Sequence, residues 1–476
     1  MSRFLAIVIL PVFLCSGAVA NGARVAGGHI KQATRGEKEI KTWKEAVAAA
    51  YGHSPELKAF QARFRAAQDA VSQATAEWIP NVQAKAGYAH SVSKTPGLDK
   101  KSHKNQANIS LEMSQNLFSC GGTSARIGAA NSKREGARLQ LLEKESSVLL
   151  EVLQVFLEVG AASRSIKVNS ENVERSKKLL AQAEKSSGLG ALDRKDELLA
   201  RANLADAEAK LADAQSRFRI ARSEFFRLTN AQPSPNLVWP DDLGFDVVES
   251  TGGAEKNLLK DNFSVQRAMQ EERASDLVVD SELSKNMLPS LDMNAGITKS
   301  FNKAPLYVGG PSQSQRPLDM QAGVTLRVPI SLGGQQASVR QAQQVHAQNA
   351  WERRALQLSV KGKVLTAQSK LRVAKENLKR HMLERDANKE ALNAMQLGMG
   401  LGGNTIVDVS EVQLRVLNAH QSLIEADKER IVQTLTKRAL LGQLTLKALG
   451  IKVNYYNEKA YKPWIGLAGG GNLPQG

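Results

Sequence analysis

Only two cysteines occur among the 476 residues, so neither a disulfide scaffold nor a cysteine-rich metal cluster can be built. The seven histidines, at 29, 53, 90, 103, 346, 381 and 420, are scattered, and none has the close spacing of a zinc-binding helix. No nucleophile–base arrangement appears either, so the chain reads as a non-enzyme with no cofactor and no metal. Aromatic residues make up 5% of the sequence, which suits Ala/Leu-rich helices better than an aromatic-packed β-sandwich. Proline is missing between Pro96 and Pro233 and again between Pro329 and Pro463. Because proline removes a backbone donor and clashes inside a helix, these tracts are where long helices can persist. Beyond the first twenty residues no run of about 18 or more apolar residues occurs, so no spanning helix is expected. Any entry into a membrane has to be made by strands.

The chain begins with Arg3, an apolar run Phe4–Leu14 interrupted by Pro11, and the small-residue ending Ala18-Val19-Ala20. That pattern predicts a secretory signal over 1–20, cut before Asn21. Bulky Leu14 fits lipoprotein processing at Cys15 poorly, and loss of the signal leaves Cys120 as the sole thiol. The net charge of +17 would favour nucleic acid, but export argues against such a partner. The positive charge is read instead as solvated helix faces, with a special affinity for lipopolysaccharide or cargo as the alternative.

Within the first proline-free tract, Leu139, Leu142, Leu149, Leu153, Phe156 and Leu157 recur at spacings of three, four and seven, the stripe of a packed helix. Leu204, Leu211 and Phe218 follow at heptad spacing with alanines between them. The proline-rich zones alternate instead with period two. Val82, Ala84, Ala86, Tyr88, His90 and Val92 oppose Gln83, Lys85, Gly87, Ala89 and Ser91. The pattern returns at Ala107–Ser114, at Leu291–Ile297 and, most clearly, from Met320 to Ile330. Four strands of about ten residues are near the length that crosses a bilayer when tilted. Alternation also fits a half-buried sheet in a soluble domain; the secretory signal and the paired hairpins favour the membrane.

Two halves repeat. PNVQAKAG (80–87) matches PSLDMNAG (289–296), and Gly121-Gly122 is followed 212 positions later by Gly333-Gly334. Gly190 and Asp196 return at the same offset as Gly402 and Asp408. The predicted organisation is signal 1–20, linker 21–41, first repeat 42–232, linker 233–255, second repeat 256–450 and tail 451–476. Each repeat reads as short helix, β-hairpin, long helix, Gly-rich turn and returning helix, the long helix spanning roughly 100 Å. Four strands cannot close a barrel, and unpaired edges in hydrocarbon are costly. Three copies would supply twelve strands and a water-filled bore.

The chain resembles the TolC family of outer-membrane channels along nearly all of its mature length. The residues carrying the resemblance are TWKEAVAAAYGHSPELKAFQARFRAAQDAV (42–71), IPNVQAKAGY (79–88), QNLFSCGG (115–122), LARANLADAEAKLADAQ (199–215) and NTIVDVSEVQLRVLNAHQSL (404–423). The tail GQLTLKALGIKVNYYNEKAYKPWIG (442–466) looks like the type I secretion branch. The resemblance implies an α+β fold of long helices in a helical barrel plus a four-stranded share of a trimeric twelve-stranded β-barrel. It implies a homotrimer in the outer membrane reaching into the periplasm of a Gram-negative cell, in contact with outer-membrane lipid. It also implies a periplasmic adaptor, an inner-membrane ABC transporter and a secreted protein substrate.

Candidate sites follow. Gly398, Gly400 and Gly403 satisfy G-x-G-x-x-G, but helices on both sides exclude a dinucleotide fingerprint. Glycines at the two tips (Gly188, Gly190, Gly400, Gly402, Gly403) are expected to reverse the chain with positive φ, and the resemblance makes the tips adaptor-docking sites. Gly121, Gly122, Gly333 and Gly334 mark the barrel-to-helix junction. Asp408 and Glu411 share a face at the start of the returning helix, where carboxylates suit the helix dipole. By resemblance they also form a periplasmic gate, with Asp196 the first-half equivalent of Asp408. Asn404 stands where a basic residue often follows the turn glycine, so a tip lock built on that cation is not expected. Lys85, Glu112 and Arg327 fall on the polar strand face and are candidates for the lumen. A multidrug efflux channel and a secreted coiled-coil stalk or adhesin are the alternative functions.

Overall fold

The computed structural model describes residues 39–94, 101–188, 193–234, 237–240, 260–305, 312–330, 333–401, 403–451, 456–457 and 461. The expected signal over 1–20 and the Trp-Ile-Gly ending lie outside the described residues, as do Gly190 and Gly402. The chain divides into Met1–Glu39 and Ile40–Gly476, and the fold described here is that of the second unit.

Local signals set the first helices. Thr42 and Glu45 form a reciprocal capping box at the start of α1 (Trp43–His53). Ser54 caps α2 (Pro55–Thr75), whose first position is the proline that a helix N-terminus tolerates. A 3-10 turn at Ala76–Trp78 then leads into the antiparallel strands β1 (Asn81–Lys94) and β2 (Lys101–Phe118). The chain continues through α3 (Gly122–Gly188) and α4 (Arg194–Thr229). The second half repeats the order as α5 (Phe263–Met287), β3 (Ser290–Pro305), β4 (Ser312–Gln315), β5 (Leu318–Arg327), α6 (Gly334–Gly400) and α7 (Ile406–Leu440). Both α3 and α6 have 67 residues, and they start and stop at the same 212-residue offset.

Strands run in the order β1-β2-β3, with β4 and β5 both pairing β3. Asn302 faces Gln315 and Lys299 faces Leu318, so the register continues across Arg316-Pro317 and the two pieces act as one broken strand. Pro317 lacks a donor, yet its carbonyl still accepts from the Ser300 amide at 3.0 Å. The fourth expected strand, Met320–Ile330, is therefore shifted: it begins earlier and ends at Arg327, before Pro329. Strands of 14, 18 and 16 residues also exceed the expected ten or so.

Packing shows why alanine is frequent. In α4 the fully buried heptad positions are Ala200, Ala207, Ala214 and Ala221, while Leu204, Leu211 and Phe218 flank them half-buried. Small side chains let α4 lie close to α3, so the interleaved alanines form the centre of the seam and the heptad leucines its flanks. The principal core joins α1, α3, α4, α7 and residues 444–451, around Leu149, Leu153, Phe156, Leu157, Phe225, Leu435, Leu444 and Leu446. Each such side chain contributes about 1.5–3 kcal/mol by leaving water. Part of α3 is apolar enough to cross a bilayer, contrary to the expectation from the sequence. That stretch is 61% buried, and its apolar residues belong to this core.

Each half has its ends tied together. The Ile40 amide donates to the Gln232 carbonyl at 3.0 Å, and the Ser234 amide donates to the Ile40 carbonyl at 2.9 Å. In the second half Asn262 caps α5 by accepting from the Val265 amide, and its side chain donates to the Leu440 carbonyl at 2.7 Å.

Candidate functional site: a two-faced sheet and two helical tips

Directly paired residues in a sheet share a face, so register assigns sides without ambiguity. One face carries Val82, Tyr88, Ile109, Leu111, Ile297, Met320, Val324 and Leu326, all large, apolar and exposed. The other face carries Gln83, Lys85, Asn108, Ser110, Glu112, Asn294, Thr298, Ser300, Thr325 and Arg327. Ser110 and Ser300 are buried there, so the usual order of a soluble protein is inverted at these positions, with large apolar side chains exposed and two hydroxyls covered. Lys85 and Glu112 meet at 2.6 Å on the polar face. The outer edges of β1 and β5 have no partner strand among the described residues.

At the junction below the sheet, backbone geometry requires glycine. Gly121 has φ +86° and Gly333 has φ +129°, and Cys120 also adopts a positive φ of 45°. Gly122 has no room for a side chain because Ser284, whose hydroxyl donates to the Ser119 carbonyl, occupies that space. Gly334 faces open space.

The tip differs from the sequence expectation. Gly188 and Gly400 are the last residues of α3 and α6, and neither they nor Gly398 and Gly403 adopt positive φ. The turn instead closes through hydrogen bonds. The Gly398 carbonyl accepts from the Leu401 amide at 3.1 Å and from the Gly403 amide at 2.8 Å. Asn404 folds back to donate to the Met395 carbonyl at 3.1 Å, filling the place where a Cβ on Gly398 would stand. Sequence reasoning missed this role of Asn404, and the only available signal was an Asn six residues after a glycine.

Asp408 forms a capping box with Thr405. Its carboxylate accepts from the Thr405 amide at 2.9 Å and the Thr405 hydroxyl at 2.7 Å, while its amide donates to that hydroxyl at 3.2 Å. Those bonds hold the Asp408 carboxyl below its ordinary pKa, the threonine hydroxyl contributing most. Glu411 lies one turn on, exposed, and pairs with Arg415 at 2.6 Å. Asp196 occupies the first turn of α4, capped by Asp193, so the two helices begin alike but with different capping residues. Beneath the tip, Leu179, Ala183, Leu392, Ile406, Val409 and Val412 make a second small core.

Between the two cores the α3–α7 seam turns polar. Gln413 donates to Asn172 at 2.8 Å and to Ser176 at 3.3 Å, and Gln421 donates to Asn169 at 3.3 Å. Above it, Trp239 from the inter-repeat linker donates to Asp427 at 2.9 Å and lies under the Arg164 guanidinium, 4.1 Å from the ring centre. Gly160 admits that ring, since a Cβ there would approach it to 2.9 Å. A lone Trp in a linker gives no sequence-level hint of such docking.

The family profile described as "Outer membrane efflux protein" matches residues 46–231 and 256–443, one block per repeat. The outer membrane efflux protein BepC of Brucella suis is 21% identical over 435 residues, covering 89% of this chain and 91% of BepC. The outer membrane protein TolC of Vibrio cholerae is 24% identical over 436 residues, covering 87% of this chain and 94% of its own. Among solved structures, the CmeC outer membrane channel of Campylobacter jejuni superposes with a TM-score of 0.72 at 15% identity, covering 88% of each chain. A sheet with its grease outward, long duplicated helices and a match through both repeats lead to one conclusion: the chain belongs to the outer membrane efflux protein family, as an outer-membrane channel protein of the TolC type reaching into the periplasm.

Proposed function

We propose that three copies of this chain form a passive exit duct for a type I secretion system, carrying a protein substrate across the periplasm and outer membrane. The observation that carries the reading is the sheet: its apolar face needs lipid, and its two open edges need strands from other copies. Twelve strands would enclose a bore lined by the polar face, including Lys85, Glu112 and Arg327. A periplasmic adaptor and an inner-membrane ABC transporter would supply coupling and energy, docking at the tips near Gly188, Gly400 and Gly403. The Tyr-rich tail supports the secretion branch. Deleting the gene and analysing culture supernatant tests it: one large secreted protein should disappear. Normal secretion with antibiotic hypersensitivity would instead establish multidrug efflux, a reading favoured by the family's description.

The gate belongs to the same proposal. Three Asp408 carboxylates would ring the periplasmic opening, and Glu411 would contribute less because Arg415 neutralises it. Replacing Asp408 and Glu411 with alanine should raise conductance or lower cation preference in planar bilayers; unchanged values would remove the gate.

A further inference from the structure

The charges on the sheet are sorted by sign as well as by side. Following the register, the apolar face of the strands holds the positions of His90, Lys94, Lys101, His103, Lys299, Lys303 and Arg316, and no aspartate or glutamate. The acids Glu112, Asp292 and Asp319 all fall on the polar face, mixed with Lys85, Lys104 and Arg327. Chance mixing on one face and complete segregation on the other call for a cause specific to the lipid side.

Position narrows it. The apolar belt runs along β3 from Leu291 to Phe301, about 33 Å at ~3.3 Å per residue, or roughly 25 Å in height at a strand tilt of ~40°. That height matches the lipid-facing band of an outer-membrane barrel. The cations lie at the end of the belt remote from the helices, hence at the outer surface, because the helices occupy the periplasm. Lys299 is the innermost: it sits between Ile297 and Phe301, and its ammonium donates to the Arg316 carbonyl at 3.0 Å. Arg316 falls opposite Phe301 on the same face. A half-buried lysine beside exposed isoleucine and phenylalanine is costly unless an anion comes to it.

We propose that Lys299 and Arg316 form a lipid-facing cationic notch that binds the phosphate groups of a phosphorylated glycolipid of the outer leaflet. The acyl chains of such a lipid would lie on Leu318, Met320 and Ile109, all exposed on the same face. The notch sits beside the β4 edge, so a bound lipid would also cover the broken strand. This rests on the outer-membrane placement and is independent of what the duct carries.

The test uses the full-length protein purified from outer membranes and placed in neutral-lipid nanodiscs, with native mass spectrometry counting retained lipid. Probes are bisphosphorylated lipid A, enzymatically dephosphorylated lipid A, phosphatidylglycerol and inorganic phosphate. Each surface cation near an anionic headgroup is worth about 1 kcal/mol, so the double variant Lys299→Gln/Arg316→Gln should lose on the order of 30-fold in affinity for lipid A. The charge-keeping variant Lys299→Arg/Arg316→Lys should retain it. Equal retention by wild type and the neutral variant overturns the proposal. So does equal binding of dephosphorylated lipid A or of phosphatidylglycerol, or displacement of lipid A by millimolar inorganic phosphate. Should the neutral variant fail to insert, the comparison of phosphorylated with dephosphorylated lipid A on the wild type decides the matter.

Discussion

α3 and α6 share length, offset and neighbours in sequence, yet one is a core and the other a flank. Along α3 the buried residues run from Gly122 to Ala183 without a long gap; along α6 only Val339, Ala342, Val360, Val364, Ala367, Leu371, Ala374 and Leu392 are buried. The paired positions make the contrast sharper. Leu139 is 5% exposed and its counterpart Trp351 is 67% exposed; Leu153 is 2% exposed and its counterpart Leu365 is 46% exposed. α3 lies among α1, α2, α4, α5 and α7, whereas α6 packs chiefly on α5 and α7. Duplication fixed the backbone plan, and position then decided which copy kept a greasy stripe for its own fold. Trp351, Leu358 and Leu365, exposed at heptad spacing, form a stripe that a neighbouring copy would cover.

That contrast can be broken most forcefully at the matched leucines. Leu153→Ala should destabilise the chain itself by about 2–5 kcal/mol, lowering the melting temperature of detergent-solubilised protein. Leu365→Ala should leave the fold of each chain intact and weaken assembly instead, read as a larger monomer fraction by light scattering in detergent. Equal losses of intrinsic stability at both positions would dissolve the distinction between core and flank.

A smaller effect separates two glycines of the second tip. Gly398→Ala should displace Asn404 and cost the bond to Met395, about 0.5–1.5 kcal/mol. Gly400→Ala points into open space and should be neutral. In an Asn404→Ala background the Gly398→Ala penalty should vanish; thermal melting of the double variant checks it.

The smallest expected effect is electrostatic and lies on α3, where Glu145 accepts from the Leu446 amide. Burial raises the Glu145 pKa above its ordinary value, opposed by the Leu446 amide and by Lys447. The folded chain thus holds this proton more tightly than the unfolded one, so stability falls as pH rises from the ordinary carboxylate range through the raised folded value. Glu145→Gln, which cannot titrate, should melt above wild type at pH 8, with the gap closing as the pH is lowered. A gap that widens on acidification would reverse the sign.

Much of this was legible in the sequence because the controlling signals are local. Proline-free tracts bounded the long helices, alternation around Val82 and Val324 assigned the strand faces, and Asp408 with Glu411 three residues on marked the start of a helix. What stayed hidden depends on neighbours far away in sequence. Nothing near Leu153 or Leu365 reveals which will be covered, since both sit in good helical stripes. Likewise, the tip glycines were expected to bend the backbone, but Gly398 serves by making room for Asn404.

The bonded ends of each half carry a consequence for ancestry. Ile40 meets Gln232 and Ser234, and Asn262 reaches Leu440, so either module starts and finishes at one spot. A gene segment encoding such a self-closing circuit can be copied in tandem with little more than a short connector, because the second copy departs from where the first arrives. The two-module chain is therefore an accessible step from a single-module ancestor, which would have needed six subunits where the proposed assembly needs three.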